Sequence, residues 1–281
     1  MDYDTLVLPG GGIKGIILLG GIQYLIDNYH LKNIKNFIGT SIGSIINYLL
    51  ILGYTPIEIL IQFYSPVGSK LLEKLKYLDL IAMINGNGAT SFTPLYEALE
   101  FLTLQKTGKL FTLSSLKEKY GKNLILTTYN MTTCMTEYLE SERYPDLPCL
   151  TAIRMSCNIP LVFDRFKYMD NYYVDGGISD NFPIVKGKEI GEKILGLNLV
   201  FSNKNMKDEP SDGMIVYFMR LLYIPIIQSI NNRIDMVKEN CTIINLDSGP
   251  NNFFEFDVKS KSRLEMFSIG YNSVKNFLNN K

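Results

Sequence analysis

Residues 5–15 read TLVLPGGGIKG, and residues 36–43 read NFIGTSIG. Each joins a short unbroken apolar run to a glycine turn. Each is followed by a longer apolar stretch, IILLGGIQYLI at 16–26 and SIINYLLIL at 44–52. A short apolar run closed by proline or glycine reads as a strand buried on both faces, and the longer stretches as buried helices. Strand, turn, helix, repeated, is the signature of an α/β fold with a mostly parallel sheet.

The rest of the chain extends the pattern. Thr55-Pro56-Ile57-Glu58 is a capping box with proline at the first helical position, so a helix starts there. Helices are expected over 69–84, from Thr93 to about Lys106, over 112–120 and 148–157, and from about Ser260 to Phe277. Strands are expected at 5–8, 36–39, 123–129, 134–140, 171–174, 194–200 and 241–246. Residues 85–91 and 202–213 read as loops. The apolar tract 214–230 is broken by Arg220 and Pro225, which makes it a poor membrane span. A buried helix kinked at Pro225 is the favoured reading, and a lipid channel or docking surface the other. No linker divides the 281 residues, so a single domain over 1–281 is expected, its motifs within about 3–200 and an extension over 201–281.

Composition removes several classes of function. Lys plus Arg and Asp plus Glu number 28 each, so no basic excess exists to meet a nucleic-acid backbone. The four cysteines (Cys134, Cys149, Cys157, Cys241) form no CxxC pair and read as free, mostly buried thiols of a reducing, cytoplasmic setting. With His30 the only histidine, no zinc site is expected, nor any other metal or cofactor. The acidic start MDYD is no signal peptide. A soluble or peripherally membrane-associated protein is expected, and no feature selects an oligomeric state.

The glycine turns carry the chemistry. Gly10-Gly11-Gly12-Ile13-Lys14-Gly15 satisfies G-x-G-x-x-G. A dinucleotide site also needs an acid after the second strand, and that strand ends instead in Gly39-Thr40-Ser41. Gly39-Thr40-Ser41-Ile42-Gly43 is G-x-S-x-G at a strand-to-helix junction, which projects a serine hydroxyl from a sharp turn. Its bland alternative is a helix-capping serine. A base must accept the serine proton. His30 lies at the far end of the first helix, roughly 22 Å away for about fifteen residues, so a histidine triad is nearly excluded. Asp175, in Val174-Asp175-Gly176-Gly177 after the apolar run NYYV, is the candidate. Its bland alternative is a plain Asp-Gly turn. Since each glycine turn follows a strand, all three are expected at one edge of the sheet.

GGGIKG, GTSIG and DGG in this order resemble the patatin-like phospholipases, which use a Ser-Asp dyad without histidine. Met155-Ser156-Cys157-Asn158-Ile159-Pro160 with Phe163, and Asn181-Phe182-Pro183, fit the same family. The resemblance implies a three-layer α/β/α fold. It implies Ser41 as nucleophile, Asp175 as base, and the amides of Gly10, Gly11 and Gly12 as the oxyanion hole. Lys14, Gly15, Gly39, Gly43, Gly176 and Gly177 support these motifs, with Lys14 expected to be solvated. The implied substrate is a phospholipid or other acyl-ester lipid, with transient membrane-surface contact. A lipid transacylase and a non-catalytic lipid-binding scaffold are the rival readings.

Overall fold

The structure, a computed structural model, describes residues 2–64, 88–200, 214–237, 241–249 and 260–280, without the side chains of 63, 214–220, 222, 260 and 261. The expected helix at 69–84, the loop at 202–213 and residues 85–87 lie outside the described residues.

Among the described residues the strands are β1 (Thr5–Leu8), β2 (Asn36–Thr40), β3 (Asn123–Asn130), β4 (Met135–Leu139), β5 (Phe166–Tyr168), β6 (Asn171–Asp175), β7 (Ile194–Val200) and β8 (Cys241–Asp247). The helices there are α1 (Gly15–Asp27), α2 (Ile42–Ile51), α3 (Pro56–Tyr64), α4 (Thr93–Thr107), α5 (Leu113–Tyr120), α6 (Cys149–Ser156), α7 (Ile184–Ile190), α8 (Met214–Val237) and α9 (Ser260–Asn279). The 3-10 turns Gly12–Lys14 and Gly176–Ile178 follow the first and last glycine motifs. The capping box forms as read: Thr55 N donates to Glu58 Oε2 at 2.7 Å, and Glu58 N to Thr55 Oγ1 at 3.2 Å.

Strands β3, β2, β1, β7 and β8 run parallel in that order, β4 and β6 pair antiparallel with β3, and β5 pairs antiparallel with β6. Alternation divides the core into two layers. Leu6, Leu8, Phe37, Leu124 and Leu126 pack with α1, α2 and α9, while Val7, Ile38 and Ile125 pack with Phe182, Ile184, Ile230 and Val237 of the α7–α8 side. The result is the expected α/β/α arrangement.

The C-terminal region is built into this sheet. β8 pairs with β7 along its whole length. α9 crosses α1 so closely that a Cβ on Gly20 would strike the Phe267 carbonyl, and one on Gly270 the Ile17 carbonyl.

Three expectations need correction. β5 and α7 were not anticipated, being only three and seven residues long. α8 runs to Val237, and among its described side chains it is not a fully buried core helix: Ile230 is 8% exposed, whereas Leu221 and Ile224 are 44% and 55% exposed. Of the four free thiols only Cys149 and Cys157 are buried, while Cys134 is exposed.

Candidate active site

The strand β3 organises the site. One of its edges pairs with β4. The other pairs first with β2, as far as Thr127 opposite Thr40, and then with β6, starting at Thr128 opposite Asp175. β2 and β6 therefore approach each other end to end along one edge of β3. Ser41, the residue after β2, and Asp175, the last of β6, meet at the junction. Sequence reasoning brought Asp175 to this edge by treating its strand as one more parallel strand. The direction is the reverse, and the carboxylate reaches Ser41 because β6 lies beyond the end of β2.

The serine turn is under strain. Ser41 has φ 53° and ψ −122°, a backbone region that a side chain rarely occupies. Two glycines make the turn possible. A Cβ on Gly39 would fall 2.6 Å from the Gly43 carbonyl carbon, and one on Gly43 would fall 2.7 Å from the Leu8 and Pro9 oxygens. Gly15 leaves room for the Ile42 side chain at the head of α2. Ser156 holds the turn from the opposite side: Ser41 N donates to Ser156 Oγ at 3.0 Å, and the Ser44 and Ser156 hydroxyls lie 2.9 Å apart.

Asp175 is 6% exposed, like Ser41. Its Oδ1 accepts the Gly177 amide at 2.7 Å, and its own amide donates to the Asn158 carbonyl at 2.9 Å. Asn158 Nδ2 donates in turn to the Tyr173 carbonyl at 2.8 Å. Gly176 lets this turn lie against β3, since a Cβ there would strike the Thr127 carbonyl. Burial raises the Asp175 pKa to about 6, against the opposing pulls of Ser41 and the Gly177 amide. The Ser41 hydroxyl is thus near enough to favour the carboxylate's charge, yet Oδ2 has no well-aligned donor. Such loose contacts are common in substrate-free sites and tighten on binding.

The glycine loop closes the third side. The Gly10 position lies beside Ser41, with a built Cβ 3.2 Å from the Ser41 Cβ. Its amide, however, donates to the Asn181 carbonyl at 3.0 Å, and its carbonyl accepts Asn181 Nδ2 at 3.2 Å. The expected cradle is corrected accordingly: Gly10 is fixed by Asn181, and its amide is not a spare donor. Among the described residues no acceptor takes the Gly11 or Gly12 amide. Gly12 adopts φ 52°, a conformation suited to glycine. Lys14 is also corrected, being 6% exposed and engaged rather than solvated.

Three neighbours carried no assigned role in the sequence. The Cys157 thiol is buried against the dyad, and burial, then the Asp175 charge, push its pKa well up. Tyr223 of α8 is half-buried, and enclosure of its hydroxyl, then the Asp175 charge, push its pKa well up too. Asp180, wholly buried, binds Arg233 Nη1 of α8 at 3.1 Å and accepts the Tyr138 hydroxyl at 2.7 Å. Its carbonyl accepts Thr40 Oγ1 at 2.9 Å, and so ties α8 to the residue before the nucleophile turn. His30 lies beyond the far end of α1, away from these groups.

Known proteins share this arrangement of chain. A profile described as patatin-like phospholipase matches residues 6–186. The probable lipid hydrolase 463L of Invertebrate iridescent virus 6 is 36% identical, over 71% of each chain. An uncharacterized protein of Acanthamoeba polyphaga mimivirus, R571, is 28% identical over 98% of this chain and 93% of its own. In fold, the chain is similar to VipD from Legionella pneumophila, with TM-score 0.60 and 18% identity over 99% of this chain and 67% of VipD. It is also similar to the type III effector ExoU, with TM-score 0.54 and 16% identity, and spans 53% of ExoU's length. The chain belongs to the patatin-like phospholipase family, and that membership supports lipid acyl hydrolysis as its class of activity.

Proposed function

We propose that this member of the patatin-like phospholipase family cleaves fatty-acyl esters of phospholipids, in the manner of a phospholipase A, through an acyl-enzyme on Ser41. Asp175 takes the Ser41 proton as the hydroxyl attacks the ester carbonyl. The Gly11 and Gly12 amides stabilise the oxyanion, and such donors typically contribute ~3–4 kcal/mol each. Asp175 then protonates the departing alcohol. Water, deprotonated by the same carboxylate, cleaves the acyl-enzyme and restores the serine.

The observation that carries this reading is the end-to-end meeting of β2 and β6, which brings a strained serine to a buried carboxylate with no cation paired to it among the described residues. Gly15, Gly39, Gly43, Gly176 and Gly177 serve by allowing the close approaches, and residues 1–281 act as one unit. Mass-spectrometric analysis of products from phosphatidylcholine tests the proposal. Free fatty acid and lysolipid are expected from the native chain, with none from Ser41→Ala and at least about 10³-fold less from Asp175→Asn. Wild-type turnover by either variant would overturn the assignment.

A further inference from the structure

The edge of the sheet that carries the dyad also carries two hairpin tips. β3 continues past the dyad to Asn130 and turns through residues 131–134 into β4. β5 turns through Met169 and Asp170 into β6, which then runs back to Asp175. Both tips therefore project outward on the side where β2 delivers Ser41. Four residue steps along the strand separate Asn171, the start of β6, from Asp175, a distance of roughly 13 Å.

The tips form one ordered platform. Met131 N donates to the Tyr172 carbonyl at 2.8 Å, and Tyr172 N donates to Thr132 Oγ1 at 3.0 Å. Asn130 Oδ1 accepts the Thr132 and Thr133 amides at 3.0 and 3.2 Å, while Asn130 Nδ2 is held by Glu137 at 2.9 Å. On this frame Met131, Met135, Met169 and Tyr172 are 55%, 63%, 76% and 47% exposed. One exposed methionine is ordinary. Three of them with a tyrosine, on and directly beside two turns bonded to each other, are a local apolar concentration that contributes nothing to the core. Methionine adapts to irregular apolar surroundings, and tyrosine suits a boundary that is apolar on one side and wet on the other. The turns themselves bear one acid, Asp170, and Lys167 pairs with it at 3.0 Å.

We propose that the two tied tips are the bilayer-docking surface of this protein, with Met131, Met135 and Met169 entering the interfacial layer of a phospholipid membrane and Tyr172 resting among the headgroups. This rests on the reading of the protein as a lipid acyl hydrolase, because the dyad must face the membrane that supplies its substrate. Interfacial segments bury about 5–10 Å. Docking at that depth brings the dyad close enough to receive a lipid that has risen part-way from its leaflet. Because the charge on the tips is balanced, docking relies on apolar insertion and tolerates neutral lipid.

Cys134 lies in the first tip and is exposed, so it can carry an environment-sensitive dye. The probe protein is the full chain with Ser41→Ala, to spare the lipid, and Cys241→Ser, to leave a single accessible thiol. Phosphatidylcholine vesicles should shift the dye emission to the blue and carry the protein into the pellet. The triple variant Met131→Asp, Met135→Asp, Met169→Asp should lose at least tenfold in vesicle binding. In the Ser41 background it should still hydrolyse a soluble short-chain ester at the native rate. Two results overturn the proposal: vesicle binding equal to that of the parent, or a dye shift that follows protein concentration without vesicles, which would assign the tips to a second copy. Vesicle binding that depends on the tips in a chain inert to every ester would leave docking in place and remove the catalytic reading alone.

Discussion

Asp175 ends β6 and Asp180 lies five residues further on, both closed off from water, and their surroundings differ. Asp180 meets the guanidinium of Arg233 and the hydroxyl of Tyr138. Among the described residues Asp175 has the Gly177 amide, a poorly aligned serine hydroxyl and no cation. Burial drives the pKa of each carboxyl upward. At Asp180 the opposing pulls come first from Arg233 and then from Tyr138, while at Asp175 they come from Ser41 and then the Gly177 amide. A buried charge that is paired is a fastener. One left without a counter-ion is costly to ionise, and that is what lets it accept a proton near neutral pH.

The sharpest way to break this contrast is to neutralise each acid in turn. Asp175→Asn should lower kcat/KM by about 10³-fold or more and leave the fold intact, since the amide keeps the bond to Gly177. Asp180→Asn should act on stability first, with activity per folded molecule within about tenfold of native. Steady-state kinetics set beside urea unfolding separates the two. Equal losses of activity would erase the distinction.

Next in size is the partner of Asp180. Arg233→Ala leaves a buried carboxylate without its cation. Removing one member of a buried pair costs about 3–5 kcal/mol, and the lower end applies because Arg233 is 27% exposed. Adding Asp180→Asn to Arg233→Ala should recover part of that loss. A double variant no more stable than Arg233→Ala alone would count against a fastening role.

Much of this site could be read from the sequence. The runs at 5–8 and 36–40 are apolar enough to be parallel strands, and the G-x-S-x-G at their edge marks the serine turn. What escaped has physical reasons. The direction of β6 depends on its register against β3, many residues earlier, and the run NYYV is the same in either direction. The engagement of the Gly10 amide by Asn181 spans 171 positions and involves main chain, which leaves no trace in composition. Lys14 reads as polar and is buried, because α1 begins inside the molecule directly after it. The tract 214–230 holds apolar residues on every side, so the partial exposure of its described side chains, 221 and 223–229, could not be read from periodicity.

The pH dependence sharpens the contrast further. Since Asp175 must be ionised to work, activity should rise with pH through an apparent pKa near 6. Stability runs the other way. The folded pKa lies above the unfolded value, so the contribution of Asp175 is fully present below about pH 4 and is lost as pH rises through about 6. At pH 8 Asp175→Asn should therefore be more stable than native by roughly 1–3 kcal/mol, an advantage that vanishes at pH 4. Calorimetry at the two pH values checks the sign. The smallest effect belongs to Cys157. Its buried thiol touches the dyad without holding it, and Cys157→Ser should change kcat/KM less than about fivefold.

The most direct test of the dyad is covalent labelling with a fluorophosphonate, with the adduct mapped by mass spectrometry across a pH series. The account predicts a single adduct on Ser41, a labelling rate that falls as pH drops through about 6, and no reaction in Asp175→Asn. An adduct at another residue, or native labelling of Ser41 in the Asp175→Asn protein, would contradict it.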